Sequence, residues 1–172
     1  MNTILFLAVR VTHVLFAAVW IGSTVYNVLL LTPVIEESGS AGGHVMLRLG
    51  TRGLGAYMAG LGVTTVASGV FLLWRFTGGF DPAVAATHAG IAFGIGGFAG
   101  ILAGVIGGGV VGRAAGQLLA IMTEAAGVAD GPAKGALMQK AVAFRQRMKG
   151  GTRAVLALQA TALVLMTLGH YI

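Results

Sequence analysis

The chain has 172 residues, 56% of them hydrophobic and only 9% charged, against about 25% charged in an ordinary globular domain, which excludes a normal soluble surface. Its 29 glycines follow no Gly-X-Y period and its prolines number 3, which excludes collagen. The absence of cysteine excludes disulfides, iron–sulfur clusters, thiolate zinc sites and cysteine nucleophiles. The formal charge of +6 then calls for a membrane explanation before a nucleic-acid one.

A bilayer crossing needs about 20 mostly apolar residues, and four stretches qualify: 4–34, 54–76, 83–112 and 154–172. They predict an all-α fold, a single integral membrane four-helix bundle. The first stretch has no basic segment ahead of its apolar run and no small-x-small cleavage site before Pro33, so it reads as a retained span and not as a signal peptide. Along it Arg10, His13, Ala17, Trp20, Thr24 and Asn27 recur three or four apart and share one helical face. Polar groups in a span normally face the bundle interior, which makes each one a functional candidate. Trp20 lies too deep for an interfacial belt and serves either packing or a cofactor wall, whereas Trp74 fits the belt.

The second span offers Tyr57, Thr64 and Ser68 on one face, with Arg75 at its end. Asp81 and Pro82 predict the start of the third helix, placing His88 almost two turns inside it. In that span Gly96, Gly100, Gly104, Gly108 and Gly112 repeat every four residues. Lipid supplies no hydrophobic force between helices, so the repeat predicts a ridge along which another helix, or a flat cofactor, comes close. These glycines are not a nucleotide-binding loop, because no strand precedes them. The fourth span carries Gln159, Met166 and His170 on one face.

Between the third and fourth spans, the connection 113–153 holds Arg113, Lys134, Lys140, Arg145, Arg147, Lys149 and Arg153, seven of the 11 basic residues. Basic residues concentrate on the cytoplasmic side, so this connection is expected to be cytoplasmic and both termini extracytoplasmic. The third helix should run on past Arg113, break over 127–132, and give way to a helix at Pro132 capped by Asp130. That helix is either basic and amphipathic against anionic headgroups or half of a solvated hairpin.

His13, His88 and His170 then all fall in the outer half of the bundle, with His44 on the other side. Two histidines at similar depth on different helices suit a six-coordinate haem. Imidazoles with the Met166 thioether equally suit copper, and a membrane histidine can simply bond a neighbouring helix. Soluble-type catalysis finds no support: the five acids all lie outside the spans, and Ser23 and Ser68 lack a partner base. A proton-coupled transporter usually needs a membrane carboxylate, which is missing.

The segment HVLFAAVWIG, from His13 to Gly22, resembles the first helix of the copper-resistance D-like family, where a histidine is followed seven residues later by tryptophan and then glycine. It also resembles the haem-associated small membrane protoporphyrinogen oxidase family. TTVASGVFLL in the second span looks like the Thr/Ser-Gly segment of the copper-resistance D-like group, and LVLMTLGHYI resembles the closing helix of related four-span proteins. The resemblance implies a four-helix bundle in a bacterial cytoplasmic membrane, with His13 at the family histidine.

Three functions compete on this reading. The first is a haem b membrane protein for electron transfer or oxidation of a small reductant or quinone near the outer face. His13 and His88 would be its axial ligands, Arg10 and Arg75 would pair with the propionates, and Trp20 would flank the ring. The second is copper handling through His13, His88, Met166 and His170. The third is a cofactor-free subunit whose glycines dock a homo-oligomer or a larger membrane complex.

Overall fold

The computed structural model describes residues 3–172, which are all-helical, and four of the helices are long and apolar enough to cross a membrane. Helix α1 (Thr3–Glu37) widens to π geometry over Asn27–Leu31. A turn at Gly39, with φ of 55°, sends α2 (Gly39–Thr51) back along it. Gly53, at φ 87°, kinks the chain into α3 (Leu54–Phe76); a side chain would strain that left-handed backbone. A single turn, α4 (Pro82–Ala85), precedes α5 (His88–Ala126) and α6 (Pro132–Leu168). In space the order runs α1, α3, α5, α6 and back to α1, an antiparallel ring in which each long helix touches its chain neighbour.

The long helices have 35, 39 and 37 residues in α1, α5 and α6. At 1.5 Å per residue they reach about 52–58 Å, well beyond the roughly 30 Å of a hydrocarbon core. The excess forms an extension at the basic end. There Gly43 and Gly50 of α2 lie against Met122 and Leu119 of α5, and Lys149 of α6 pairs with Glu36 of α1 at 2.8 Å. Residues 113–153 therefore make a helical hairpin continuous with α5 and α6, and no helix begins at 154. Asp130 does not cap α6. Gly131 holds that position, and Asp130 pairs one turn on with Lys134 at 2.7 Å, which keeps its carboxyl below the usual carboxylate range.

Burial is inverted relative to a soluble bundle. The fully buried apolar residues are mostly alanines, including Ala92, Ala99, Ala103, Ala114 and Ala162, whereas Val63, Phe98 and Val105 are 68%, 66% and 62% exposed. Small residues inside let backbones come close, and large apolar residues outside suit contact with acyl chains. At mid-bundle Trp20, Leu61, Ala103 and Val155, one from each long helix, form the core layer.

The glycine ridge of α5 is not one contact line. A Cβ at Gly96 would stand 3.2 Å from Met166 Cγ on α6, and one at Gly104 would stand 3.4 Å from Val66 on α3. At Gly100 and Gly108 it would meet nothing within 4 Å. Four residues turn an α-helix by about 400°, so each step from Gly96 to Gly104 drifts about 40°, and Gly108 and Gly112 then fall in a π segment, Gly107–Gly112, with a different winding. The seam toward α6 is Ala92, Gly96, Ala99 and Ala103, all buried and spaced four, three and four apart. That alternation averages near the helical period and stays on one face.

The third helix also starts later than expected. Asp81 caps α4, accepting from the Ala83 amide at 2.9 Å, but the chain breaks at Ala86 and Thr87 caps α5 by accepting from Gly90 N at 3.1 Å. Gly90 makes the break compact, because a Cβ there would run into the Val84 and Ala85 carbonyls. His88 is thus the first residue of α5 and exposed, not two turns inside.

Candidate functional site

His13 stands half-buried on α1, facing α3. Its Nδ1 lies 2.9 Å from the Thr65 carbonyl oxygen and 3.2 Å from Ser68 Oγ. A carbonyl only accepts, so Nδ1 carries the proton and donates. Ser68 sends its own proton back to the Thr64 carbonyl at 2.6 Å, leaving its oxygen to share the Nδ1–H. The ring reaches this backbone because Gly69 has no side chain: a Cβ there would lie 2.8 Å from His13 Cε1. In the neutral imidazole these contacts fix the proton on Nδ1, and Nε2 has no bonding partner among the described residues.

Arg10, one turn outward on the same face, reaches across to the end of α6. Its Nη2 lies 3.2 Å from His170 Nε2, while His170 Nδ1 lies 2.9 Å from the Met166 carbonyl. Both contacts require the same state, with Nδ1–H donating to Met166 O and Nε2 accepting from the guanidinium. His170 also meets Phe93 edge-on at 5.2 Å between ring centres, and Phe93 meets Phe76 at 4.9 Å. Arg10, His170, Phe93 and Phe76 thus clasp α1, α6, α5 and α3 together at the end of the bundle where the chain terminates. Gly169 admits the Phe93 ring, from which a Cβ would stand only 2.8 Å.

The remaining sequence candidates disperse. Trp20 is 5% exposed, with its ring over Gly62 of α3, which is a packing position. Met166 wedges against Gly96, and Arg75 is exposed in the last turn of α3 without an ion-pair partner among the described residues. His88 borders a shallow apolar groove with Ile91, Ala92, Ile95, Leu165 and Ile172, between α5 and α6. His13 makes its contacts instead with α3, at Thr65 and Ser68. No group of three or more His, Cys, Asp or Glu side chains gathers among the described residues. Of the four copper candidates, His170 and Met166 are joined by the contact from His170 Nδ1 to the Met166 carbonyl, and His170 Nε2 faces Arg10.

Sequence reasoning did not find Thr65, Ser68 and Gly69 as the partners of His13, although all three lie in the TTVASG segment it singled out. A backbone carbonyl leaves no mark in a sequence, but a glycine one turn after it is the signal that it is open to a neighbour. A second polar feature sits deeper in the bundle. Gln159 of α6 is 2% exposed, and neither atom of its amide has a hydrogen-bond partner. Comparison of the chain with protein-family models, curated proteins and solved structures returns no match.

Proposed function

We propose that the chain is a multi-pass protein of a bacterial cytoplasmic membrane that binds haem b through His13. One observation carries the reading. The Thr65 carbonyl and Ser68 orient the His13 imidazole as metal-ligating histidines are usually oriented, and its Nε2 is left without a protein partner. The residues fit the group in two further respects. Arg10 lies one turn away and spends only one of its five N–H donors, so it retains a fork for a propionate. The helix around His13 is apolar, with Val14 and Phe16 exposed on it. Haem would supply one-electron transfer, and a small reductant or a quinone would be the redox partner. With His88 in the other half of the ring of helices, the geometry favours a single axial histidine over the six-coordinate pair.

The purified protein, reconstituted with haem, is expected to show a Soret band that His13→Ala abolishes. His88→Ala and His44→Ala should leave it unchanged. A protein that remains colourless after reconstitution overturns the reading.

Membrane insertion is supported by the inverted burial, with alanines inside and large apolar residues outside. The basic connection supports a cytoplasmic hairpin with both termini outside. Single cysteines at the exposed positions Ala83 and Gln139 test this in intact cells. An impermeant thiol reagent should label position 83 and spare 139, and the reverse pattern would invert the topology.

A further inference from the structure

Two distortions meet on opposite sides of the α1–α3 contact at the basic end. The π segment Asn27–Leu31 interrupts the α winding of α1, and the left-handed Gly53 turns the chain between α2 and α3. π segments often mark functional sites in helices. Near the two distortions lies a groove of about 390 Å³, with Gly22, Ser23, Tyr26 and Asn27 on one side and Leu54 and Tyr57 on the other. A Cβ at Gly22 would meet nothing within 4 Å, so no protein atom fills the floor.

The groove is apolar but ringed by unspent polar groups. Asn27 gives its amide protons to the Ser23 carbonyl at 2.9 Å, which leaves its side-chain oxygen free. The hydroxyls of Ser23, Tyr26 and Tyr57 make no hydrogen bond among the described residues. Tyr26 and Tyr57 are 54% and 50% exposed, so the groove opens outward and not into the core. Since α3 begins at Leu54 and crosses in 23 residues, Tyr57 stands one turn inside the boundary between hydrocarbon and headgroups. Arg52 follows Leu49, a lining residue, by three positions and precedes Leu54 by two, and Arg48 adjoins Leu49, so both are chain neighbours of the lining. Both arginines are exposed, and neither makes an ion pair among the described residues.

We infer that this groove is a binding site for one anionic phospholipid. Arg48 and Arg52 face its phosphate, the Ser23, Tyr26 and Tyr57 hydroxyls face the glycerol and ester oxygens, and one acyl chain lies over Gly22 and Leu54. Charge selects the occupant. A neutral quinone would use the hydroxyls but gain nothing from two unpaired guanidinium groups, whereas basic pockets between helices at the cytoplasmic boundary suit anionic headgroups. The site lies at the opposite end of the bundle from His13 and does not depend on the haem reading.

The test is the thermal unfolding of the full-length protein in a neutral detergent with phosphatidylglycerol, phosphatidylcholine or a short-chain benzoquinone added. Phosphatidylglycerol is expected to raise the midpoint by roughly 3–5 °C, as a ligand that binds only the folded state does. Phosphatidylcholine and the quinone should give no more than a small fraction of that. The shift should fall by more than half in Arg48→Gln/Arg52→Gln, and persist in Arg48→Lys/Arg52→Lys and in Arg145→Gln, which removes a charge from the hairpin instead. Equal shifts from both phospholipids, a response to the quinone alone, or an undiminished shift in the double glutamine variant overturns the proposal. If that variant is too unstable to purify, Ser23→Ala/Tyr57→Phe decides: a reduced shift supports the site and a full one refutes it.

Discussion

Gly69→Ala is expected to lower the unfolding midpoint by about 5–10 °C, a large effect for one methyl group. The new Cβ would stand 2.8 Å from His13 Cε1 and 3.3 Å from Nδ1, closer than carbon atoms settle without movement. The imidazole cannot retreat while keeping Nδ1 at 2.9 Å from the Thr65 carbonyl. Either α1 moves off α3, or the ring leaves its hydrogen bond. Overpacking of this kind costs about 1–3 kcal/mol, and an interhelical hydrogen bond in a membrane bundle adds roughly 0.6–2 kcal/mol. The helix itself gains, since alanine is favoured over glycine by about 1 kcal/mol. A double-mutant cycle separates these effects. In a His13→Ala background the ring is gone, and Gly69→Ala should then be neutral or mildly stabilising. Equal losses in the two backgrounds would show that the glycine serves something other than the histidine. Nitrogen shifts of labelled His13 supply a second readout, because the fixed Nδ1–H tautomer should disappear in Gly69→Ala alone.

The number of long apolar helices and their order could be read from the sequence because both follow from local composition. Twenty apolar residues in a row have few alternatives. The polar stripe of α1 was legible for the same reason: a period of three to four residues states which groups share a face, and Arg10, His13, Trp20 and Thr24 do share one. What lies opposite that face was not legible. Trp20 over Gly62, His13 over Gly69 and Met166 over Gly96 are each set by the relative rotation of two helices, and no single-chain period encodes that.

The glycine ridge misled for a physical reason. Repetition every four residues looks regular on paper but winds around the helix, while the alternating seam from Ala92 to Ala103 runs straight and hides among alanines that appear elsewhere in the chain. The depth of His88 is decided by a local contest between two helix starts. Asp81-Pro82 does start a helix, yet Thr87 is an equally good cap and Gly90 lets the two segments fold against each other, so the second start prevails. Arg10 and His170 were each assigned to the outer half of the bundle. Their contact across 160 residues needed the ring of helices to close.

Gln159→Leu is expected to stabilise the bundle by about 1–3 kcal/mol, against the usual direction of a core substitution. The Gln159 amide is buried, and neither its nitrogen nor its oxygen has a partner. The buried hydroxyls on the spanning helices donate within their own helices, Thr24 Oγ1 to the Trp20 carbonyl at 2.9 Å and Thr65 Oγ1 to the Leu61 carbonyl at 2.8 Å. Leucine has a similar volume and carries no polar group to strand, so it should remove the desolvation penalty without opening a cavity. Detergent unfolding should show the midpoint rising in Gln159→Leu and falling in Gln159→Ala, which leaves a void beside Val155 and Ala162. A fall in both variants would mean that the amide is bonded in the working protein, and the leucine would then have stranded its partner. Measuring the Soret band of each variant decides where that partner lies. A stabilised Gln159→Leu with an unchanged band marks the amide as an uncompensated polar group in the packing. A stabilised variant that has lost the band marks it as a group kept, at the expense of stability, for the ligand of His13.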